Sequence, residues 1–222
     1  MTVRSSVTCL RGTRAHRAPA GLARLVFALG LALAAVLAPA PAAAQVDIVI
    51  DASKTGPKID RHLFGQFAEH LGKGIYEGVW VGTGSTIPNT RGIRNDVVAA
   101  LKALRVPNVR WPGGCFADEY HWRKGIGRDR SVTLNPNWGG VTEDNTFGTH
   151  EFMDFLGQIG SEAFLSVNLG TGTPQEAAEW LEYMTASPTT TLGKERAANG
   201  STEPYKVAFL GSGNDSWDCG GN

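Results

Sequence analysis

Four apolar runs in this 222-residue chain end on side chains able to do chemistry. Glu69 and His70 follow HLFGQF, Arg110 lies in NVRW, Asn168 ends AFLSVN, and Asn214-Asp215 follow KVAFLGSG. An Arg between Val109 and Trp111 is costly to bury alone, so Arg110 calls for a polar partner. The glycines of the following WPGG provide a reversal with dihedrals that other residues resist. Trp80, Trp111, Trp122, Trp138 and Trp217 lie in the loops after these runs. Indole faces suit the C–H faces of sugars, although three of the five could equally serve the core. Carboxylates, amides, an Arg and indoles point to glycoside hydrolysis when no zinc-helix spacing and no serine in a nucleophile elbow accompany them. That chemistry uses two carboxyl groups, about 5 to 5.5 Å apart in retaining enzymes. Asp215 is one candidate, and Glu69 could supply the second. No cofactor is implied: GTGST and GTGTP lack the spacing of a dinucleotide loop.

These residues need elements to hold them. Val46 to Ile50 alternates as a short strand, and His62 to Phe67 reads as the next. Gly92 to Leu104 places Ile93, Val97, Val98, Leu101 and Leu104 on one helical face, with Pro107 beyond its end. NVRW, AFLSVN and KVAFLG are further strands. Thr149 is expected to cap the amphipathic THEFMDFLGQIG, and Thr173 to cap PQEAAEWLEYMT, with Pro174 at the first helical position. Strand, loop and helix in recurrence predict an α/β fold of parallel βα units. Polar residues gathered at the carboxyl ends favour a (β/α)8 TIM-barrel type, of which about the first four βα units are present against the eight a barrel requires.

Residues 1–44 read as a signal peptide: five Arg without an acid, an apolar run from Leu25 to Ala38, then small residues before Gln45. That run is shorter than the roughly 20 residues that span a bilayer. The expected location is therefore secreted or periplasmic, with no membrane association after cleavage. Removing the leader leaves 16 basic against 21 acidic residues (21 − 5 against 21), which disfavours nucleic acid as a partner. Residues 45–60 are expected to be an N-terminal strand and connection, and residues 61–222 the barrel portion. Cys115 and Cys219 remain after cleavage, too few for a disulfide framework.

FGQFAEHLGKGIYEGVWVG, IRNDVVAALKALRVPNVRWPGGCFADEYHWRKGIG, NTFGTHEFMDFLGQIGSEAFLSVNLGTGTPQEAAEWLEYMT and GSGNDSWDCGGN together resemble the N-terminal half of a glycoside hydrolase family 51 α-L-arabinofuranosidase. The resemblance runs from about Asp47 to Asn222. It implies a barrel plus a β-sandwich to which residues 45–60 contribute, and release of terminal arabinofuranose from arabinose-containing polysaccharides and oligosaccharides, with retention and without cofactor or metal. It implies that Glu69 binds hydroxyls of the sugar, that Arg110 and Cys115 lie in the same subsite, and that Asn214 bonds the 2-hydroxyl. Asp215 falls where the family carries a Glu as general acid/base. The family's nucleophile, another Glu, lies beyond Asn222, so the chain is expected to be truncated and without turnover alone. A Cys115–Cys219 disulfide is conceivable in an oxidising compartment but is not the favoured expectation. A β-glycanase or xylosidase of the same architecture, a non-catalytic sugar-binding remnant, and homo-oligomerisation of a full-length form stay open.

Overall fold

The computed structural model describes residue 48, residues 50–215 and residue 217. By its internal contacts the chain divides into two units, Met1–Gly56 and Pro57–Asn222. In the first, the described residues include an exposed turn in which the Asp51 carboxylate accepts from the Ser53 N–H (3.0 Å) and hydroxyl (2.6 Å). The expected leader lies outside the described residues. So does most of the strand expected over Val46 to Ile50, and its described members, Ile48 and Ile50, are exposed and in no strand.

The second unit opens with a 3-10 turn, Arg61–Phe64, that leads into β1 (Gln66–Phe67). A strand over all of His62 to Phe67 is thus corrected. The Asp60 carboxylate accepts from the His62 N–H (2.9 Å), which starts a turn where extension was expected. β2 (Asn89–Thr90) pairs antiparallel with β3 (Ile93–Arg94), and α1 follows over Asn95–Leu104. The helix starts after Gly92 because Ile93 and Arg94 are engaged in that pairing. Leu104, placed inward by periodicity, is 69% exposed; Arg105 turns left-handed (φ 54°) and ends the helix beside it.

β4 (Asn108–Trp111) precedes a hairpin of β5 (Thr133–Asn135) and β6 (Val141–Glu143), which the sequence read only as loop. Next come α2 (Thr149–Ile159), β7 (Glu162–Val167), α3 (Pro174–Thr185), α4 (Thr191–Ala198) and β8 (Val207–Ser212). Gly148, not Thr149, is the N-cap of α2. Its N–H donates to Glu151 (2.9 Å), while the Thr149 hydroxyl lies inside and accepts from the Trp180 indole (3.1 Å). Thr173 caps α3 as expected, accepting from the Glu176 N–H (3.1 Å), with Pro174 opening the helix.

β1, β4, β7 and β8 form one parallel sheet in the order β1-β4-β7-β8. Parallel neighbours require crossovers, and α2 and α3 are borne on them. Val109, Trp111, Leu165 and Val167 meet the helices Thr149–Ile159 and Pro174–Thr185 in one core with Phe152, Phe155, Leu156, Trp180, Tyr183 and Met184. Trp111 is its centre: it stacks on Phe152 (4.9 Å, 20°) and meets Trp180 (5.8 Å) and Tyr120 (5.0 Å) edge-on. Successive strand residues point to opposite faces. Burying Val109 and Trp111 under the helices therefore aims Arg110 at the other side of the sheet, toward Phe67 and Phe164. Among the described residues no helix is long and apolar enough to cross a membrane.

Candidate active site

Arg110 has the polar partners its position demands. Its Nε donates to the Ser166 hydroxyl (2.7 Å) and its Nη2 to Asn214 Oδ1 (2.7 Å), while Phe67 lies 4.9 Å beneath the guanidinium carbon. One side chain thus spans three strands, from the end of β1 across β7 to the tip of β8. Fixing the Asn214 oxygen on Arg110 also fixes which way its amide nitrogen is presented.

Glu69 comes to the same end of the sheet by a different route. The strand pairing continues past Phe67, with Ala68 N–H donating to the Arg110 carbonyl (2.8 Å) and His70 N–H to that of Pro112 (3.4 Å). The Glu69 Oε1 atom then accepts from the Gly114 N–H (3.0 Å), the Phe116 N–H (3.4 Å) and the Trp138 indole N–H (3.0 Å). Glycine is needed here for space: a Cβ on Gly113 would stand 2.5 Å from Glu69 Cγ. A cis Trp111-Pro112 bond and Gly113 at φ 150° carry the chain around the carboxylate. With three donors on one oxygen, Glu69 is built as a fixed acceptor, which suits holding hydroxyls better than moving a proton.

Behind Glu69 lies a buried polar network that the sequence did not reveal. His70 is 2% exposed; its Nε2 accepts from the Trp111 indole (3.1 Å) and its Nδ1 faces Glu143 Oε2 (3.1 Å). An indole N–H can only donate, so the ring proton sits on Nδ1, toward Glu143. Asn135 donates to Glu143 Oε1 (2.9 Å) and to the His70 carbonyl (2.8 Å), and its Oδ1 accepts from the Trp138 N–H (3.3 Å). The β5–β6 hairpin is thereby tied to the Glu69 loop at both of its strands. Burial holds the nearby Tyr76 phenol well above the usual tyrosine range, so it is a neutral wall.

The structure sorts the remaining expected residues. Trp111 and Trp122 are core, not sugar platforms, because both indole N–H groups are used inside the protein. Trp80 and Trp138 are half-buried and Trp217 is exposed. Asn168 spends its oxygen on the amides of Gly170, Thr171 and Gly172 (2.9 to 3.1 Å), so it shapes its own loop. Asp215 is exposed and takes a positive φ of 22° immediately after Asn214. Cys115 is disulfide-bonded, with its partner outside the described residues, which corrects the favoured expectation that it is a thiol. Its sulfur has therefore exchanged an S–H donor for an S–S bond. Among the described residues no cluster of three or more His, Cys, Asp or Glu could hold a metal ion.

Known proteins resemble this chain in sequence and fold. An "Intracellular exo-alpha-L-arabinofuranosidase" from Bacteroides ovatus is 47% identical over 90% of this chain and 39% of its own length. The solved GH51 arabinofuranosidase from Xanthomonas axonopodis pv. citri superposes with a TM-score of 0.75 at 58% identity, over 77% of this chain and 35% of that one. The thermostable GH51 α-L-arabinofuranosidase from Thermotoga petrophila gives 0.71 at 43%, over 76% and 35%. The chain thus spans well under half the length of these relatives. The profile of the alpha-L-arabinofuranosidase 1 domain matches residues 100–221, more than half of the chain. On that match and these relatives, the chain belongs to the α-L-arabinofuranosidases of glycoside hydrolase family 51.

Proposed function

We propose that these residues form part of the sugar-binding end of a (β/α)8 barrel that releases terminal α-L-arabinofuranosyl groups from arabinose-containing polysaccharides and oligosaccharides with retention. The observation that carries this reading is the Arg110–Asn214 bond (2.7 Å). It joins residues 104 apart in sequence at the carboxyl ends of parallel strands, where barrel enzymes place their chemistry. Asn214 and Glu69 hold hydroxyls of the furanose, and Arg110 fixes Asn214. Asp215 gives its proton to the departing glycosidic oxygen and later takes one from the water that cleaves the glycosyl-enzyme. No described residue is assigned the nucleophile's role. Aspartate is one methylene shorter than the glutamate of the family pattern, which withdraws the carboxyl group from the bond it serves. The leader at residues 1–44 supports export to the periplasm or medium, and fractionation of expressing cells tests that separately.

The test is hydrolysis of an aryl α-L-arabinofuranoside by the longest polypeptide the gene encodes, with the product anomer read by NMR. Arabinose of retained configuration is expected. Asp215→Glu is expected to raise the rate by about 100-fold, the scale of a 1 Å displacement at a reacting group. Turnover of a β-xyloside or β-glucan with none of the arabinofuranoside sinks the reading.

A further inference from the structure

The pairing of β7 with β8 stops just short of Asn214. Val167 and Ser212 are the last partners, and the Gly213 N–H donating to the Val167 carbonyl (3.2 Å) is the last rung. Beyond it Gly213 turns at φ 74° and the two strands part. Among the described residues the amides of Leu169 and Asn214 lie past the last rung of the ladder, and a part-buried amide needs another acceptor. One carboxylate serves both. Asp118 Oδ1 accepts from the Leu169 N–H (3.0 Å) and Asp118 Oδ2 from the Asn214 N–H (2.9 Å).

Asp118 is suited to this task by its own fixation. It is 2% exposed at the end of the 3-10 helix Cys115–Asp118. Its carbonyl accepts from both the N–H (3.0 Å) and the hydroxyl (2.9 Å) of Thr171. Asn214 is consequently held at two points by two elements, its backbone by Asp118 and its side-chain oxygen by Arg110. The next residue, Asp215, sits at φ 22°, in a region that non-glycine residues keep only when their surroundings over-determine it.

We propose that Asp118 is a positioning residue that bridges the parted ends of β7 and β8, setting the backbone of Asn214 and through it the direction in which Asp215 leaves the sheet. Only its kinetic consequence rests on the arabinofuranosidase reading. Asp118→Asn has the same shape but one acceptor oxygen, and its NH2 group must face a backbone N–H. One clamp bond is lost while the packing volume is kept.

Backbone amide exchange in the 222-residue chain, followed by NMR, reads the clamp directly. In Asp118→Asn the Leu169 or Asn214 amide is expected to exchange about tenfold faster or more, while Phe164 to Val167 keep their protection. Through-hydrogen-bond couplings from the two amides to the Asp118 carboxyl carbon test the same bonds in the unaltered protein. In the longest gene product, kcat on an aryl arabinofuranoside is expected to fall about tenfold or more, with KM changed less than about threefold. Unchanged protection, protection lost evenly across the sheet, or an unchanged kcat in an active enzyme overturns the assignment. If no form of the enzyme cleaves the arabinofuranoside, that activity reading fails, and exchange at Leu169 and Asn214 alone decides whether Asp118 is a clamp.

Discussion

Gly113→Ala puts the geometry around Glu69 to a quantitative test. The new Cβ would stand 2.5 Å from Glu69 Cγ, 3.0 Å from its Cβ and 3.1 Å from its Cδ. Restoring ordinary van der Waals contact moves the side chain by about 1 Å. Its hydrogen bonds from Gly114 and Trp138 are both 3.0 Å, so the same movement takes them beyond bonding distance. Hydrogen bonds to charged groups contribute about 1.5–3 kcal/mol each; Glu69 is half-exposed and regains water, so about 2 kcal/mol is expected for the pair. A non-glycine residue at φ 150° adds about 1–3 kcal/mol of strain. Gly113→Ala should therefore destabilise by about 3–5 kcal/mol in the native background and by about 2 kcal/mol less when combined with Glu69→Ala, which leaves only the strain and the 3.0 Å approach to the Cβ at position 69. Urea unfolding followed by tryptophan fluorescence of all four forms gives the coupling. A value below about 0.5 kcal/mol would refute the claim that Gly113 is glycine to make room for Glu69.

Two further outcomes are expected. Arg196 is fully buried and donates to the carbonyls of Tyr183 (2.8 Å), Ala186 (2.7 Å), Ser201 (3.0 Å) and Thr202 (3.1 Å), and Arg196→Met should cost about 3–5 kcal/mol in urea unfolding by stranding those oxygens; a loss under about 1 kcal/mol would contradict this. The His150 ring lies between the hydroxyls of Tyr183 (2.7 Å) and Tyr205 (2.8 Å), and burial holds its pKa below the ordinary histidine value. Because the unfolded chain takes up the proton first, near pH 6.5, the stability of the neutral ring is fully present above that pH and is lost as pH falls through the folded value. The advantage in Tm of the protein over His150→Gln should shrink between pH 7 and pH 5, and a flat or rising difference would exclude this role.

Parallel βα units were legible because two periodicities, of two and of about 3.6 residues, mark strands and helices locally. Thr173-Pro174 announced a helix start correctly, since a cap and a first-turn proline act within one turn. Local signals misled where a longer contact competed. Asp60 turned the start of a strand into a 3-10 helix, and the β2–β3 pairing delayed α1. Helix α4 was not anticipated: TLGKERAA carries no apolar stripe, and its buried Arg196 reads as a surface residue until the carbonyls around it are seen. The hairpin β5–β6 was hidden for a similar reason, since its inward residues Thr133, Asn135 and Glu143 are polar.

By itself the sequence determined which residues stand at strand ends. Glu69, Arg110 and Asn214 lie in or just after short apolar runs that read as strands from their own residues, and this signal acts over a few residues. Tertiary structure alone decided what each of those groups touches. Asp118 and Glu119 are adjacent acids with nothing in the sequence to separate them, yet Asp118 is buried on two amides that lie 51 and 96 residues away. The indoles show the same division: Trp111 faces the helices and Trp138 faces Glu69, although each stands within two residues of a Gly-Gly pair. A carboxylate or an indole finds its partner across the sheet only after the strands have set their register, so its role is a property of the assembled fold.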